Sequence, residues 1–314
     1  MEGAMIETMI EALIESTLVT ATPIILAVLG LTFAERSGVL NVGMEGIMLM
    51  SASTGFTVAA ITGSLAMGLV AALIMGIALG GIIAFLSISL CVDQVILGIG
   101  IWFLGLSLSN YIWWSIIFNT RGVVYLTPFP RLSIPFVSDI PIIGVIGEQN
   151  WMVYAALILV FVTYFVLNKT VFGLRVSAVG QNPMGADLIG VRVFLLRYVC
   201  VIICGFFAGL AGSFFTLGQT GSWTNNITAG DGWIAIAMVR LGRWNPFWGT
   251  VGALIFGFFI KIQFILQLSI SGLPYEVFLA LPYTIGIIIL VISSKFKGAE
   301  PKSLGIPYRR GAEH

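Results

Sequence analysis

Hydrophobic positions along the chain come in long, nearly uninterrupted blocks rather than in an alternating pattern. Most blocks approach the roughly 20 residues that one helix needs to cross a ~30 Å hydrocarbon core. The pattern therefore predicts an all-α membrane protein with about nine transmembrane segments. Residues 1–16 are expected to form a short interfacial helix or the remnant of a tenth segment. The blocks lie at 17–34, 47–61, 65–90, 95–118, 150–168, 198–218, 232–242, 247–267 and 273–292.

The block at 232–242 is too short to cross a membrane alone, and the block at 47–61 is also short. Both begin within related motifs, NVGMEGIMLMSA at 41–52 and TAGDGWIAIAM at 228–238, in which glycines flank one acid. Two further weak matches follow in the same order, and corresponding positions differ by nearly one offset, 231 − 45 = 186 and 276 − 94 = 182. Five predicted spans separate the copies, so we expect inverted repeats with broken helices, as in many transporters.

Basic residues distinguish the two sides of the membrane, because cytoplasmic loops carry an excess of Lys and Arg. One orientation places most of the 15 basic residues inside. It predicts an N-terminus outside, a loop 119–149 outside and a cytoplasmic C-terminus. The inside residues would be Arg36, Lys169, Arg175, Arg192, Arg197, Arg240, Arg243, Lys295, Lys297, Lys302, Arg309 and Arg310.

Composition narrows the functional classes. Hydrophobic residues make up 58% of the 314 positions and charged residues 9%, whereas soluble domains carry about 25% charged residues. The net charge of +1 gives no reason to expect a nucleic-acid partner, and the main expected surroundings are membrane lipid. The only histidine is His314, and the three cysteines lack a zinc-ligand pattern. We therefore expect no catalytic residue and no metal site.

A polar segment at 169–197 interrupts the hydrophobic blocks near the middle of the chain. Asn182 followed by Pro183 is typical of a helix start, with Asn as N-cap and Pro in the first turn. The helix should run to about Ile189 and end at Gly190. Since a lone helix of two turns is not stable in water, it requires a partner surface, which suggests docking to a cytoplasmic protein.

Acidic residues near the short blocks are candidates for a substrate pathway. Glu45 and Asp231 lie in predicted membrane segments, where ionisable residues are functional candidates by default. The alternative is that they stabilise helix N-termini through the macrodipole, which would also explain Asp93 and Glu276. Lys261, within a predicted span, is expected to extend its ammonium group to the membrane surface.

Amide and aromatic side chains of the same motifs complete the predicted substrate pathway. Asn41, Asn225 and Asn226 can hydrogen-bond a ribose or a base edge, or can equally cap the broken helices. Trp233 follows Asp231 in its motif and is included with them. Aromatic residues in these segments more often pack or face lipid than stack on a base.

Several motifs together resemble a known family. They are AERSGVLNVGMEGIML, GLRVSAVGQNPMGADLIGV, GDGWIAIAMVRLGRWNPFWGTVGALIFG and LPYEVFLALPYTIGIIIL. The chain resembles permeases of ABC importers that serve branched-chain amino acids, simple sugars and nucleosides. ERSGVLNVGMEG is most similar to the nucleoside, or basic-membrane-protein, type. The resemblance runs from about residue 17 to 292 and implies a fold like that of type II ABC importers.

The resemblance implies one permease domain over residues 1–314, located in a prokaryotic inner or plasma membrane. It would contain a first repeat at about 17–118, a linking span at 150–168, a cytoplasmic coupling segment at about 169–197 and a second repeat at about 198–292. The implied partners are an ABC ATPase, a second permease that is a copy or a paralogue, and an extracytoplasmic binding lipoprotein. The implied ATPase-coupling residues are Gly173, Arg175, Gly180, Asn182, Pro183, Ala186 and Gly190.

The expected function is thus import of nucleosides or a related small polar solute, with alternating access driven by a separate ATPase. The chain has no G-x-x-x-x-G-K-[ST] phosphate loop. ATP and Mg are therefore expected in the partner, and this chain is expected to bind no cofactor and catalyse no reaction. A simple sugar is the alternative cargo. An ion-coupled secondary transporter is the alternative class, since inverted repeats occur there too.

Overall fold

The structure is a computed structural model that describes residues 2–120, 125–133, 144–269, 274–294 and 300–310. These residues form a bundle of helices with one small two-stranded sheet. The helices are α1 (Glu2–Arg36), α2 (Met44–Thr62), α3 (Leu65–Ala84), α4 (Gln94–Thr120), α5 (Trp151–Lys169), α6 (Val171–Gln181), α7 (Pro183–Leu188), α8 (Val193–Ser213), α9 (Asp231–Leu241), α10 (Pro246–Ser269) and α11 (Tyr275–Ser294). The strands are β1 (Arg131–Ser133) and β2 (Glu148–Asn150), which pair antiparallel.

Within the described residues, seven helices are long and apolar enough to cross a membrane, which confirms the all-α membrane class. They are Glu7–Arg36, Met44–Thr62, Leu65–Ser89, Gln94–Ser115, Trp151–Lys169, Val193–Thr220 and Pro246–Gln267, and Tyr275–Ile288 is a shorter apolar helix. Helix α9 has only 11 residues, as its short block predicts. The first 16 residues form no separate element, because residues 2–36 are one continuous helix.

Helix α1 occupies the centre of the bundle. Its segment from Ala21 to Ala34 is buried throughout, which explains why this stretch is apolar on every side. Helix α1 packs against α8, α9 and α10, whereas α8 packs most extensively against α3, α1 and α2. The first helix of the chain thus contacts elements from its second half, and α8 contacts elements from its first half.

Small residues allow α3 and α8 to touch through their backbones. A Cβ added to Gly76 would lie 2.3 Å from the Gly205 carbonyl oxygen, and the reciprocal distance is also 2.3 Å. Gly80 and Gly209 continue the contact one turn further along each helix. This small-xxx-small pattern is a common way for membrane helices to approach closely.

The central polar segment folds as two helices, α6 and α7. The predicted start of the second is confirmed: Asn182 Oδ1 accepts a hydrogen bond from Gly185 N at 2.9 Å, and Pro183 is the first helical residue. The chain then turns at Gly190, whose φ is +86°. Helix α8 begins at Val193, five residues before the predicted boundary. Arg197, predicted to lie in the cytoplasmic segment, is therefore inside a helix and only 1% exposed.

Candidate substrate cavity and coupling surface

The side chain of Glu45 joins the N-terminal ends of α2 and α9. Its carboxylate accepts hydrogen bonds from Thr228 Oγ1 at 2.5 Å, Gly230 N at 2.8 Å and Gly232 N at 2.6 Å. The first turn of a helix leaves its N–H groups without intrahelical partners, so the buried Glu45 satisfies donors at the start of α9. Glu45 thus stabilises a helix N-terminus, although the helix is not its own.

This junction depends on close backbone approach. A Cβ added to Gly232 would lie 2.7 Å from both Cα and N of Glu45, which are backbone atoms that cannot rotate away. Asp231 and Glu45 are consequently neighbours, although 186 positions separate them in the sequence. The two acids of the related motifs therefore meet at the centre of the protein, where one supports the other's helix.

Asp231 lines a cavity of about 410 Å³ at the start of α9. The cavity is bounded by α1, the segment 214–220 that follows α8, the loop at 221–230, α10 and α11. Lys261 on α10 also lines it, and the two opposite charges attract one another. Lys261 thus lies beside the cavity and near a carboxylate, a position that its predicted extension to the membrane surface did not anticipate.

Amide, hydroxyl and aromatic groups complete the cavity wall. Gln219, Gln263 and Tyr283 line it, together with Phe215. Gln263 is only 6% exposed, and its Oε1 has no hydrogen-bond partner among the residues that the structure describes. A buried amide oxygen without a partner is costly, so a ligand or water that donates a hydrogen bond would be stabilised here.

The other predicted pathway residues lie elsewhere. Asn41 is buried before α2, where its Oδ1 accepts from Gly43 N at 3.1 Å and its Nδ2 contacts Cys204 Sγ at 3.3 Å. Asn225 and Asn226 are exposed in the 221–230 loop and do not line the cavity. Trp233 packs edge-on against Trp102 of α4, with ring centroids 5.6 Å apart.

The segment from α6 to α7 has one buried and one exposed side. Gly173, Gly180 and Ala186 are buried. A Cβ on Gly180 would lie 2.0 Å from the Arg36 carbonyl oxygen. Three large apolar side chains, Met184, Leu188 and Ile189, are exposed, the last two by 83% and 78%. We call these three residues the α7 tip. Arg175, Asn182 and Gly190 are also exposed.

Comparison with known proteins identifies the family. The family described as "Branched-chain amino acid transport system / permease component" matches residues 13–292. The chain belongs to this family. The permease is 34% identical over 311 residues to the guanosine ABC transporter permease NupQ of Bacillus subtilis, covering 95% of this chain and 97% of that protein.

Two other relatives are named for a nucleoside and for a sugar cargo. The nucleoside ABC transporter permease NupC of Lactococcus lactis is 27% identical over 310 residues, covering 95% of this permease and 97% of that protein. A provisionally named glucose ABC transporter permease of Haloferax volcanii is 38% identical over 257 residues, with coverage of 80% and 76%. These relatives confirm the resemblance to ABC-importer permeases of the nucleoside and sugar group.

Sequence reasoning about this permease missed the residues that share the cavity with Asp231. A signal for Lys261 was present, because a lysine within a predicted span is by default a functional candidate. No comparable signal marked Gln219, Gln263 or Tyr283, since polar side chains in apolar helices also pack against neighbouring helices. Only the position of α10 and α11 beside α9 reveals which of them face the cavity.

Proposed function

We propose that this permease is the membrane subunit of an ATP-driven importer for nucleosides or a related small polar solute. The near full-length similarity to guanosine and nucleoside permeases supports the cargo class. We place the protein in a prokaryotic inner or plasma membrane, with the N-terminus outside and the segment from α6 to α7 in the cytoplasm.

The observation that carries the proposal is the cavity at Asp231. Its volume of about 410 Å³ lies within the usual range of small-molecule sites. Asp231 and Lys261 form an acid–base pair without net charge, so the wall suits a neutral polar cargo better than an ion. Asp231 and Gln263 offer acceptors for ribose hydroxyls or base N–H groups, while Phe215 and Tyr283 offer aromatic faces.

We assign different roles to the two acids. Glu45 holds the N-terminus of α9 and is already engaged by three donors. Asp231, one residue from this junction, faces the cavity and is available to cargo. A broken helix at membrane depth is tolerated where it lines a cavity, which agrees with the short α9 beside the proposed pathway.

The partners follow from the same proposal. The exposed α7 tip, together with the exposed Arg175 of α6, is the docking surface for a separate ATPase, which binds ATP and Mg and performs the hydrolysis. Exposed apolar patches of this kind mark interaction sites. A second permease completes the pathway, and an extracytoplasmic binding lipoprotein delivers the cargo. This chain itself is a non-catalytic subunit.

We further propose that the helices form two inverted repeats with nine membrane segments, of which α9 is a partial one. Two observations support this. Helix α1 of the first half packs against α9 and α10 of the second half, and α8 of the second half packs against α2 and α3 of the first. The acids of the related motifs meet at the N-termini of α2 and α9. Both are expected of a pseudo-two-fold arrangement.

The pathway proposal is tested by Asp231→Asn in proteoliposomes containing the complete transporter. Uptake of labelled guanosine should fall about tenfold, because an acceptor oxygen facing the cavity is replaced by a donor and a buried cargo donor is left unpaired, at a cost of about 1–3 kcal/mol. Assembly with the ATPase should persist. The matched control is Asp93→Asn, since Asp93 caps α4 through Val95 N and Ile96 N and lies outside the cavity. Equal loss of uptake in both variants, or none in Asp231→Asn, would contradict the assignment.

Cargo and energy source are decided by the same preparation. Excess unlabelled nucleosides should compete with guanosine uptake, and glucose should not. Competition by glucose alone would favour the sugar importer suggested by the Haloferax relative. Uptake that requires an ion gradient and proceeds without ATPase would favour a secondary transporter.

A further inference from the structure

Residues 300–310 lie across the segment from α6 to α7 and are attached to it at both ends; we call them the C-terminal strap. At its first end, Ser303 donates to the Gly180 carbonyl twice, from N at 2.9 Å and from Oγ at 2.8 Å. Gly305 N donates to the Gly38 carbonyl at 3.2 Å. The strap thus connects the end of α6 to the turn that follows α1.

Arg197 of α8 binds the middle of the strap from inside the protein. Its guanidinium donates to the Ser37 carbonyl at 3.1 Å, to the Ile306 carbonyl at 3.2 Å and to Ser303 Oγ at 3.1 Å. A buried cation is tolerated only when its donors are satisfied. Because three of its five N–H donors bind oxygen atoms of two segments, α8, the end of α1 and the strap are held in one geometry.

The second end of the strap holds α7. Arg310 binds both carboxylate oxygens of Asp187, at 2.8 and 3.1 Å, and the Tyr308 hydroxyl donates to Asp187 at 3.0 Å. The ring of Tyr308 lies 5.6 Å from that of Phe194 on α8. The hydrogen bond from Arg310 is the main reason that the pKa of Asp187 is lowered, so this carboxylate stays charged at neutral pH.

We infer that the strap makes α7 move together with α1 and α8, and that Asp187, Arg310 and Arg197 are positioning residues for coupling ATP hydrolysis to transport. Helix α7 has six residues and cannot hold its own conformation in water. Part of the partner surface that this helix requires is therefore supplied by its own chain. This inference rests on the proposed docking of an ATPase at the α7 tip.

The strap adds a mechanical link that the chain connections alone lack. Without it, α7 would be held by its covalent connections at Asn182 and Gly190 and by the packing of its buried face, including Ala186, against α6 and α8. The strap adds an ion pair and hydrogen bonds to this packing. Coupling between distant sites requires an element whose position both sites influence. The strap joins α7 to α8 and to the end of α1, and α1 packs against α9, whose N-terminus lines the cavity.

The test uses the complete transporter with its ATPase and binding protein in proteoliposomes. Asp187→Arg and Arg310→Asp are made singly and together, with Arg309→Asp as control, since Arg309 is the exposed neighbour of Arg310. The readouts are the ATPase retained on affinity purification and the cargo imported per ATP hydrolysed. Each single reversal should lower cargo per ATP about fivefold, leave ATPase retention unchanged, and be rescued by the double exchange.

An unchanged ratio in both single variants would overturn the inference, and so would a parallel loss of bound ATPase, which would make these residues part of the docking surface. If a reversal prevents assembly, Tyr308→Phe should still lower the ratio of cargo to ATP about twofold and should speed amide exchange at Gly185 and Ala186. The absence of both effects would overturn the inference. Failure of the unmodified protein to bind any ATPase would instead contradict the proposed function, which distinguishes the two claims.

Discussion

Replacing Glu45 by Gln tests whether this acid belongs to the helix junction. The glutamine keeps the shape but replaces one acceptor oxygen with an NH₂ donor, while Thr228, Gly230 and Gly232 still present donors to the site. At least one of the three bonds must break and leave a buried donor without a partner. Each bond to a charged group contributes about 1.5–3 kcal/mol. Burying a neutral amide costs less than burying a carboxylate, which offsets part of the loss. We therefore expect the free energy of unfolding to fall by about 2–3 kcal/mol.

The matched comparison is Thr228→Val, which has nearly the same volume and removes only the side-chain donor. Both backbone bonds to Glu45 then remain, so the loss should be about 1 kcal/mol. Thermal unfolding in detergent, monitored by size-exclusion chromatography of heated samples, gives the Tm of each variant. Glu45→Gln should lower the Tm by several degrees and by more than Thr228→Val does.

Transport separates the junction role from a pathway role. Uptake of the proposed nucleoside cargo by Glu45→Gln should fall only in proportion to the loss of assembled protein. An unchanged Tm with abolished uptake would refute the reasoning, because the carboxylate would then be acting on cargo rather than on α9. A Tm loss no greater than that of Thr228→Val would also refute it.

Three further predictions concern packing, electrostatics and orientation. Gly76→Ala should lower the free energy of unfolding by about 2 kcal/mol through overpacking against Gly205. Gly81→Ala on the same helix should be tolerated, since its Cβ meets no atom within 4 Å. Equal Tm values for the two variants would contradict the close approach of α3 and α8. The Tm difference between the permease and Asp187→Asn should persist from pH 7 to pH 5. It should disappear only as pH falls through the pKa of Asp187, which is depressed below its ordinary 3.8. Disappearance of the difference near pH 5 would contradict the pair with Arg310. In sealed cells, an impermeant thiol reagent should label Tyr125→Cys and not Leu188→Cys, although both positions are exposed, by 76% and 83%. Labelling at position 188 would show that the orientation in the membrane is the opposite of the proposed one.

Local patterns in the sequence determined the features that local forces decide. Long apolar runs predicted the helices and the membrane, because helix length and hydropathy are properties of contiguous residues. Asn182, Pro183 and Gly190 predicted the short helix α7, since capping and turn formation involve neighbours in the chain. Placing Glu45, Asp93, Asp231 and Glu276 near helix N-termini was likewise confirmed.

The tertiary structure alone decided which helix each of these groups serves. Glu45 caps α9 rather than its own helix, and the donors lie 183 to 187 positions away. The apolar run of α1 is buried in protein while that of α3 is mostly exposed, and hydropathy does not distinguish these cases because lipid and a protein core are both apolar. Lys261 beside Asp231, and Arg197 beneath the strap, depend on contacts between distant segments, about which a local pattern carries no information.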